Sequence, residues 1–316
     1  MGVIVVTGSL NMDFVVSTGH LPAPGETVLG QDFRMIPGGK GGNQACAAGR
    51  LNRYGTVRMV GRTGRDIFAD QLRSSLMEAG VDVTGVTAAL NEPTGVALIE
   101  VDRRGQNTIV VASGANFAVT ADEVESSRAH YRGAECALFQ LETPLPAVEA
   151  ALRIARIEGA VTILDPAPAQ PLRRELLELV DILTPNESEA CMLLGRQAAR
   201  IGIGDAREVG QAVLALGAKA VILKLGEAGC FYVDSSRELY SAAFKVEALD
   251  STAAGDVFNA GLAVALTEGQ ELPVALRFAS AAAAISVTRA GAQASIPSRD
   301  EVEKLLADTK DRPEVV

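Results

Sequence analysis

Asp250-Ser251-Thr252-Ala253-Ala254-Gly255-Asp256, running on into Val257-Phe258-Asn259, decides how the rest of this chain is read. Small residues lead into an acid where a helix begins, and the alanine-rich run 260–266 supplies the helix. The first amides of a helix have no intrahelical partner, and with the macrodipole they attract negative charge. Only methyl groups or hydrogen flank the amides of Ala253, Ala254 and Gly255, so a phosphate can come close to them. Asp256 follows at the place where a carboxylate can take the proton of a hydroxyl attacking that phosphate. An anion hole and a base within one turn are the parts of a phosphoryl-transfer site. An acid or serine at a helix start is also ordinary capping, so the segment has to be read with its neighbours.

Those neighbours alternate. Apolar runs at 2–7, 136–141, 161–164, 181–184 and 220–225 read as strands buried on both faces of a parallel sheet. Between them stand helical patterns at 45–51, 67–79, 146–158 and 206–216, and after Gly255 the chain turns mostly helical, with 272–288 and 298–308 as the later helices. The alternation predicts an α/β fold, a doubly wound and mostly parallel sheet flanked by helices. One part breaks the rhythm. Residues 94–102 and 107–112 read as a hairpin around Arg103-Arg104-Gly105-Gln106, and 14–16 and the Pro- and Gly-rich stretch through Ile36 add strand-like pieces. In the hairpin Val96 and Leu98 point one way, and Ala97, Ile99 and Val101 the other. With both faces apolar, one can cover a substrate and the other can meet a partner.

Composition bounds the function. A chain of 316 residues accommodates one large domain with an appendage, or two domains. Its net charge of −10 argues against nucleic acid or an anionic membrane as partner. No apolar run approaches a membrane span and residues 1–20 show no signal-peptide pattern. Cys46, Cys136, Cys191 and Cys230 lie far apart without a CxxC, as expected of unpaired thiols in a cytoplasmic protein. His20 and His130 are the sole histidines, which disfavours a histidine zinc site or a Ser-His-Asp triad.

Four further motifs carry polar residues to strand ends and helix starts. Gly8-Ser9-Leu10-Asn11-Met12-Asp13 leaves the first strand at the sheet edge where open α/β folds bind ligands. Pro37-Gly38-Gly39-Lys40-Gly41-Gly42-Asn43-Gln44-Ala45 is a second glycine-rich turn opening a helix. Lys40 there suggests a P-loop, but Arg34 stands where the Walker pattern needs its first glycine and Gly41 where it needs Ser or Thr. Thr184-Pro185-Asn186-Glu187-Ser188-Glu189 follows an apolar strand, and its Asn-x-x-Glu spacing is also that of a helix cap. Leu225-Gly226-Glu227-Ala228-Gly229 lets backbone approach a phosphate or ribose at its two glycines. Glu142 ends the run Phe139-Gln140-Leu141-Glu142 and projects from the same edge as Asn11 and Asp13.

Together these motifs resemble the ribokinase (PfkB-type) sugar-kinase family, from Gly8 to about Pro297. The resemblance implies ATP-dependent phosphorylation of a small sugar, D-ribose at its 5-hydroxyl, with Asp256 as base and the amides of 253–256 as anion hole. It places the sugar on Asn11, Asp13, Gly38, Gly39, Lys40, Asn43, Glu142 and Asp256. The nucleotide falls to Asn186, Lys224, Gly226, Gly229 and Gly255. Lys224 departs from the family, which commonly carries Thr there. Asn186 and Glu189 are similar to its magnesium–phosphate support, able to act through waters. Asp250, Thr252, Ser286, Arg289, Gly291 and Ser295 resemble its monovalent-cation site, for potassium. Residues 1–13, 38–93 and 113–316 would form the core, and 14–37 and 94–112 a β lid that makes a homodimer. A kinase of deoxyribose or fructose, a nucleoside kinase and a non-catalytic sugar sensor remain as alternatives. The 4% aromatic content disfavours base stacking, and the retained Gly255 and Asp256 disfavour the sensor.

Overall fold

Residues 2–309 are described by a computed structural model. Strand Val3–Thr7 shows how the fold is built: Ile4 and Val6 enter one core and Val5 the other, so the strand is apolar on both faces. The same division recurs in Ala134–Phe139, where Cys136 and Leu138 face the first core and Ala137 and Phe139 the second. Each such buried large side chain contributes about 1.5–3 kcal/mol of burial free energy. The sheet has nine strands, in the order Glu238–Ser241, Cys230–Asp234, Ala220–Lys224, Ile182–Leu183, Val161–Leu164, Ala134–Phe139, Val3–Thr7, Thr56–Thr63, Val81–Ala88. Pairing is parallel from Ala220–Lys224 through Val81–Ala88, and the two remaining strands add an antiparallel edge. Helices Lys40–Leu51, Ile67–Glu78, Ala254–Thr267, Leu272–Ser286 and Arg299–Asp308 cover one face. Ala121–Ser126, Leu145–Ile157, Arg174–Leu177, Glu187–Leu193 and Ile203–Leu214 cover the other. This is the doubly wound architecture that the alternation predicts.

The elements differ from the sequence reading at their ends. The second glycine-rich turn is already helical from Lys40, five residues before the apolar periodicity begins at Ala45. Glycines are poor helix formers, and here close packing imposes the helix. A Cβ on Gly41 would stand 2.6 Å from the Gly8 carbonyl carbon, and one on Gly39, at φ +81°, 2.7 Å from the Asn11 nitrogen. Strands Thr56–Thr63, Val81–Ala88, Cys230–Asp234 and Glu238–Ser241 are additions to that reading. Interspersed charged and polar residues hide the strand signal in Thr56–Thr63, Val81–Ala88 and Glu238–Ser241, whereas Cys230–Asp234 is a short apolar run that the alternation left unassigned.

A second sheet of four strands runs Gln31–Gly38, Asn11–Ser17, Gly95–Val101, Asn107–Ala112. Asn11–Ser17 and Gly95–Val101 pair parallel, and the two outer pairings are antiparallel. The register sets Asp13 beside Ala97 and Val15 beside Ile99, so Ile99 and Val101 share the face of Asn11 and Asp13. Phe14 and Leu98 lie on the opposite face, where Phe14 meets Phe68 edge-on at 5.4 Å between ring centroids.

Candidate active site

Helix Ala254–Thr267 begins after Ala253, which holds a left-handed conformation at φ +60°. Its first three amides are therefore those of Ala254, Gly255 and Asp256. The Ala254 N–H already bonds to the Ser251 carbonyl at 3.2 Å, so the outward-facing part of the turn is centred on Gly255 and Asp256, one residue later than the sequence suggests. Asp256 is buried at 5% exposure, and both carboxylate oxygens are engaged. Asn43 Nδ2 donates to Oδ2 at 3.1 Å and Gln44 Nε2 to Oδ1 at 3.0 Å. Both donors lie on helix Lys40–Leu51. Burial raises the Asp256 pKa to about 6, with Lys40 opposing the rise and Asp165 adding to it. A group titrating there is ionised at neutral pH yet basic enough to accept a proton.

Lys40 sits at the same junction. Burial alone would depress its ammonium, but the Asp256, Asp165 and Glu142 carboxylates outweigh it and raise its pKa. The Lys40 backbone N–H donates to Glu142 Oε2 at 3.1 Å, and the Ser9 hydroxyl donates to the same oxygen. Glu142 thus caps a helix whose N-cap residue, Gly39, has no side chain to do so. Asp13 reaches this cluster from the small sheet: a Cβ on Gly38 would lie 2.2 Å from its Oδ2. Its pKa is pushed up to about 7 by burial, then by Glu142 and Asp256. Asn11 accepts from Asn116 Nδ2 at 2.8 Å, while Asn43 Oδ1 is buried with no hydrogen-bond partner. Asn11, Asp13, Asn43, Glu142 and Asp256 are therefore gathered around one polar region, as their strand-end and helix-start positions suggest.

On the other side of Asp256 opens a cleft of about 850 Å³, to which Asn186, Lys224, Gly226, Gly229 and Gly255 all contribute. Phe244, Val246 and Val287 give it an apolar wall. Lys224 ends its strand and pairs with Asp165 at 3.0 Å. Asn186 and Glu189 form a reciprocal capping box, Asn186 N–H to Glu189 Oε2 at 2.7 Å and Glu189 N–H to Asn186 Oδ1 at 2.8 Å. Burial raises the Glu189 pKa, against the pull of Lys224. Among the described residues no three His, Cys, Asp or Glu side chains cluster as a metal site. The pair suits an ion that takes most of its ligands from water and phosphate, as magnesium does.

The segment holding Asp250 and Thr252 meets the one holding Ser286–Ser295. Asp250 Oδ2 accepts from the Gly291 N–H at 2.8 Å, and Oδ1 from the Thr252 N–H and hydroxyl at 2.9 and 2.6 Å. Ser286 and Ser295 are buried and donate to the Ala283 and Ala292 carbonyls, which leaves their oxygen lone pairs free. Arg289 pairs with Glu301 through its side chain.

Three residues of the site are given no role by the sequence motifs. Asp165 follows strand Val161–Leu164, and that position at a parallel strand's C-terminal end is a signal that could have found it. Gln44 and Gln140 stand inside two of those motifs, but a neutral amide beside Asn43 or Glu142 has no charge or proton chemistry to single it out. The four cysteines are free and buried.

An open α/β sheet whose ligand edge brings a helix N-terminus to a buried carboxylate, between a cleft and a polar pocket, is the framework of a small-molecule kinase. The chain belongs to the pfkB family of carbohydrate kinases, whose model matches residues 1–299. It is 41% identical over 306 residues to the ribokinase of Haemophilus influenzae, covering 96% of this chain and 98% of that protein. The ribokinase structure from Thermotoga maritima superposes with a TM-score of 0.87 at 38% identity, over 97% of this chain and 100% of that one. The Arabidopsis thaliana ribokinase structure, complexed with ribose and ATP, gives 0.86 at 33% identity, over 96% and 98%.

Proposed function

We propose that this protein is a ribokinase, transferring the γ-phosphoryl group of ATP to the 5-hydroxyl of D-ribose to give ribose 5-phosphate and ADP. The observation that carries this reading is the position of Asp256, buried and doubly oriented between the polar pocket and the cleft, at the start of helix Ala254–Thr267. Ribose lies against Asn11, Asp13, Gly38, Gly39, Lys40, Asn43 and Glu142, and the nucleotide against Asn186, Lys224, Gly226, Gly229 and Gly255. The Asp256 carboxylate takes the proton of the 5-hydroxyl as the new O–P bond forms and the bond to the β-phosphate oxygen breaks. The turn amides of Gly255 and Asp256, with Lys40, stabilise the charge on the transferred group. Asn186 and Glu189 would hold magnesium through waters, and the ion would neutralise the nucleotide phosphates. Potassium would sit on Asp250, Thr252, Ser286, Arg289, Gly291 and Ser295 and stiffen the turn at Ala253.

The small sheet is proposed to act as a lid over the sugar and to join a second copy of the chain. Its support is a set of exposed apolar side chains on both of its faces, Met35, Leu98 and Val110 on the face of Phe14, and Ile109 and Val111 on the face of Asn11 and Asp13. Four buried free thiols support a reducing, cytoplasmic setting. A coupled ADP-release assay with ribose, 2-deoxyribose, fructose and adenosine tests the substrate. Ribose should be preferred, because a pocket built to bond each hydroxyl penalises a sugar that lacks one. A preference for another sugar would replace the ribose assignment and keep the kinase.

A further inference from the structure

We propose that Asp165 is a positioning residue of the phosphoryl-transfer site, paired with Lys224 and acting through the Gln44 amide on Asp256. The inference rests on the ribokinase reading above and adds a charge pair to it. Asp165 is 3% exposed, and each of its oxygens has one strong partner. Lys224 Nζ donates to Oδ1 at 3.0 Å and Gln44 Nε2 to Oδ2 at 3.2 Å. The same Gln44 nitrogen donates to Asp256 Oδ1 at 3.0 Å. Gln44 cannot turn round, because its Oε1 accepts from Gln140 Nε2 at 2.7 Å. Two buried carboxylates therefore share the two hydrogens of one fixed amide.

That arrangement needs a counter-charge, since a buried carboxylate without one is strongly disfavoured. Lys224 supplies it from the cleft side. Its ammonium lies 3.2 Å from the point where a Cβ on Gly255 would stand, at the mouth of the helix start. Other charges also face Asp256: Lys40 from helix Lys40–Leu51 and Asp13 from the small sheet, with Glu142 and Glu189 next to Lys40. Among them Asp165 alone shares a donor with Asp256, and Lys224 alone neutralises Asp165 by direct contact among the described residues. Removing the negative member should make Asp256 easier to ionise. Removing the positive member should make it harder, by leaving the field of Asp165 unbalanced.

The test is the pH profile of kcat/KM for ribose with saturating magnesium and ATP, in the wild type, Asp165→Asn, Lys224→Met and the double variant. The acid limb should move down by about one pH unit in Asp165→Asn, up by about one in Lys224→Met, and return close to the wild type in the double variant. Limbs that stay in place in both single variants, or move in the same direction, overturn the proposal. If one single variant fails to fold, the other read against the double variant still measures the shift. Absence of wild-type turnover on ribose would instead overturn the ribokinase reading, and profiles on the sugar that is phosphorylated would then decide the pair.

Discussion

The Asn43 side-chain amide donates to the Asp256 carboxylate at 3.1 Å, across 213 positions of sequence. The bond ties the first turns of two helices, and it orients the carboxylate proposed as the base. Asn43 Oδ1, on the same side chain, has no partner in the protein. A buried acceptor without a partner is costly, and a hydroxyl of the proposed sugar would satisfy it.

Asp256→Asn should therefore lower kcat by about 10²–10⁴-fold, as for the loss of a positioned acid–base group. The fold should be spared, because Asn43 can rotate its amide and accept from the new side chain. Calorimetric titration should show nucleotide and ribose binding within a few-fold of wild type. Near-normal turnover would place the base elsewhere.

Asp13 links stability to pH in the direction opposite to most acids. Burial, then Glu142 and Asp256, raise its pKa from 3.8 to about 7. Between these values the native protein holds a proton that the unfolded chain has released, so stability falls as pH rises through the window. Asp13→Asn removes that dependence. Its melting temperature should exceed the wild type's by about 2–6 °C at pH 8 and match it at pH 4, while ribose affinity drops. A variant less stable than wild type at pH 8 would contradict this account.

Potassium should raise kcat above the rate in sodium or choline buffers. The Asp250–Gly291 bond holds together two segments whose carbonyls and hydroxyls could ligate the ion, and the first of them leads directly into Ala253. A cation there preorganises the anion-binding turn without touching substrate. Equal rates in the three buffers would return the Ser286–Ser295 segment to a purely structural role.

A homodimer should form through the small sheet. Val110 is 60% and Leu98 54% exposed on one face, and Ile109 is 52% exposed on the other. Val110→Glu and Ile109→Glu each place a charge on one face, and the variant that meets the interface should run as a monomer. Light scattering that finds a wild-type monomer at micromolar concentration would refute the dimer.

Much of this protein follows from local rules. Apolar strands such as Val161–Leu164 must be covered on both faces, so their alternation with helical patterns already implies a doubly wound sheet. The turn at Asp250–Asn259 and the strand exit at Asn11–Asp13 are legible because helix starts and strand ends are where unpaired amides and short acids collect. Tertiary structure decided what these rules cannot reach. Whether Ile99 or Leu98 faces the pocket depends on the register between strands distant in sequence, and a shift of one residue would exchange them. The helix from Lys40 exists because Gly39 and Gly41 fit against the backbone of Gly8 and Asn11, a constraint that propensity alone opposes. The alliance of Asp165, Gln44 and Lys224 with Asp256 joins four separate elements. Each residue is ordinary in its own segment, and only their convergence in a buried, water-poor site makes the charges interact.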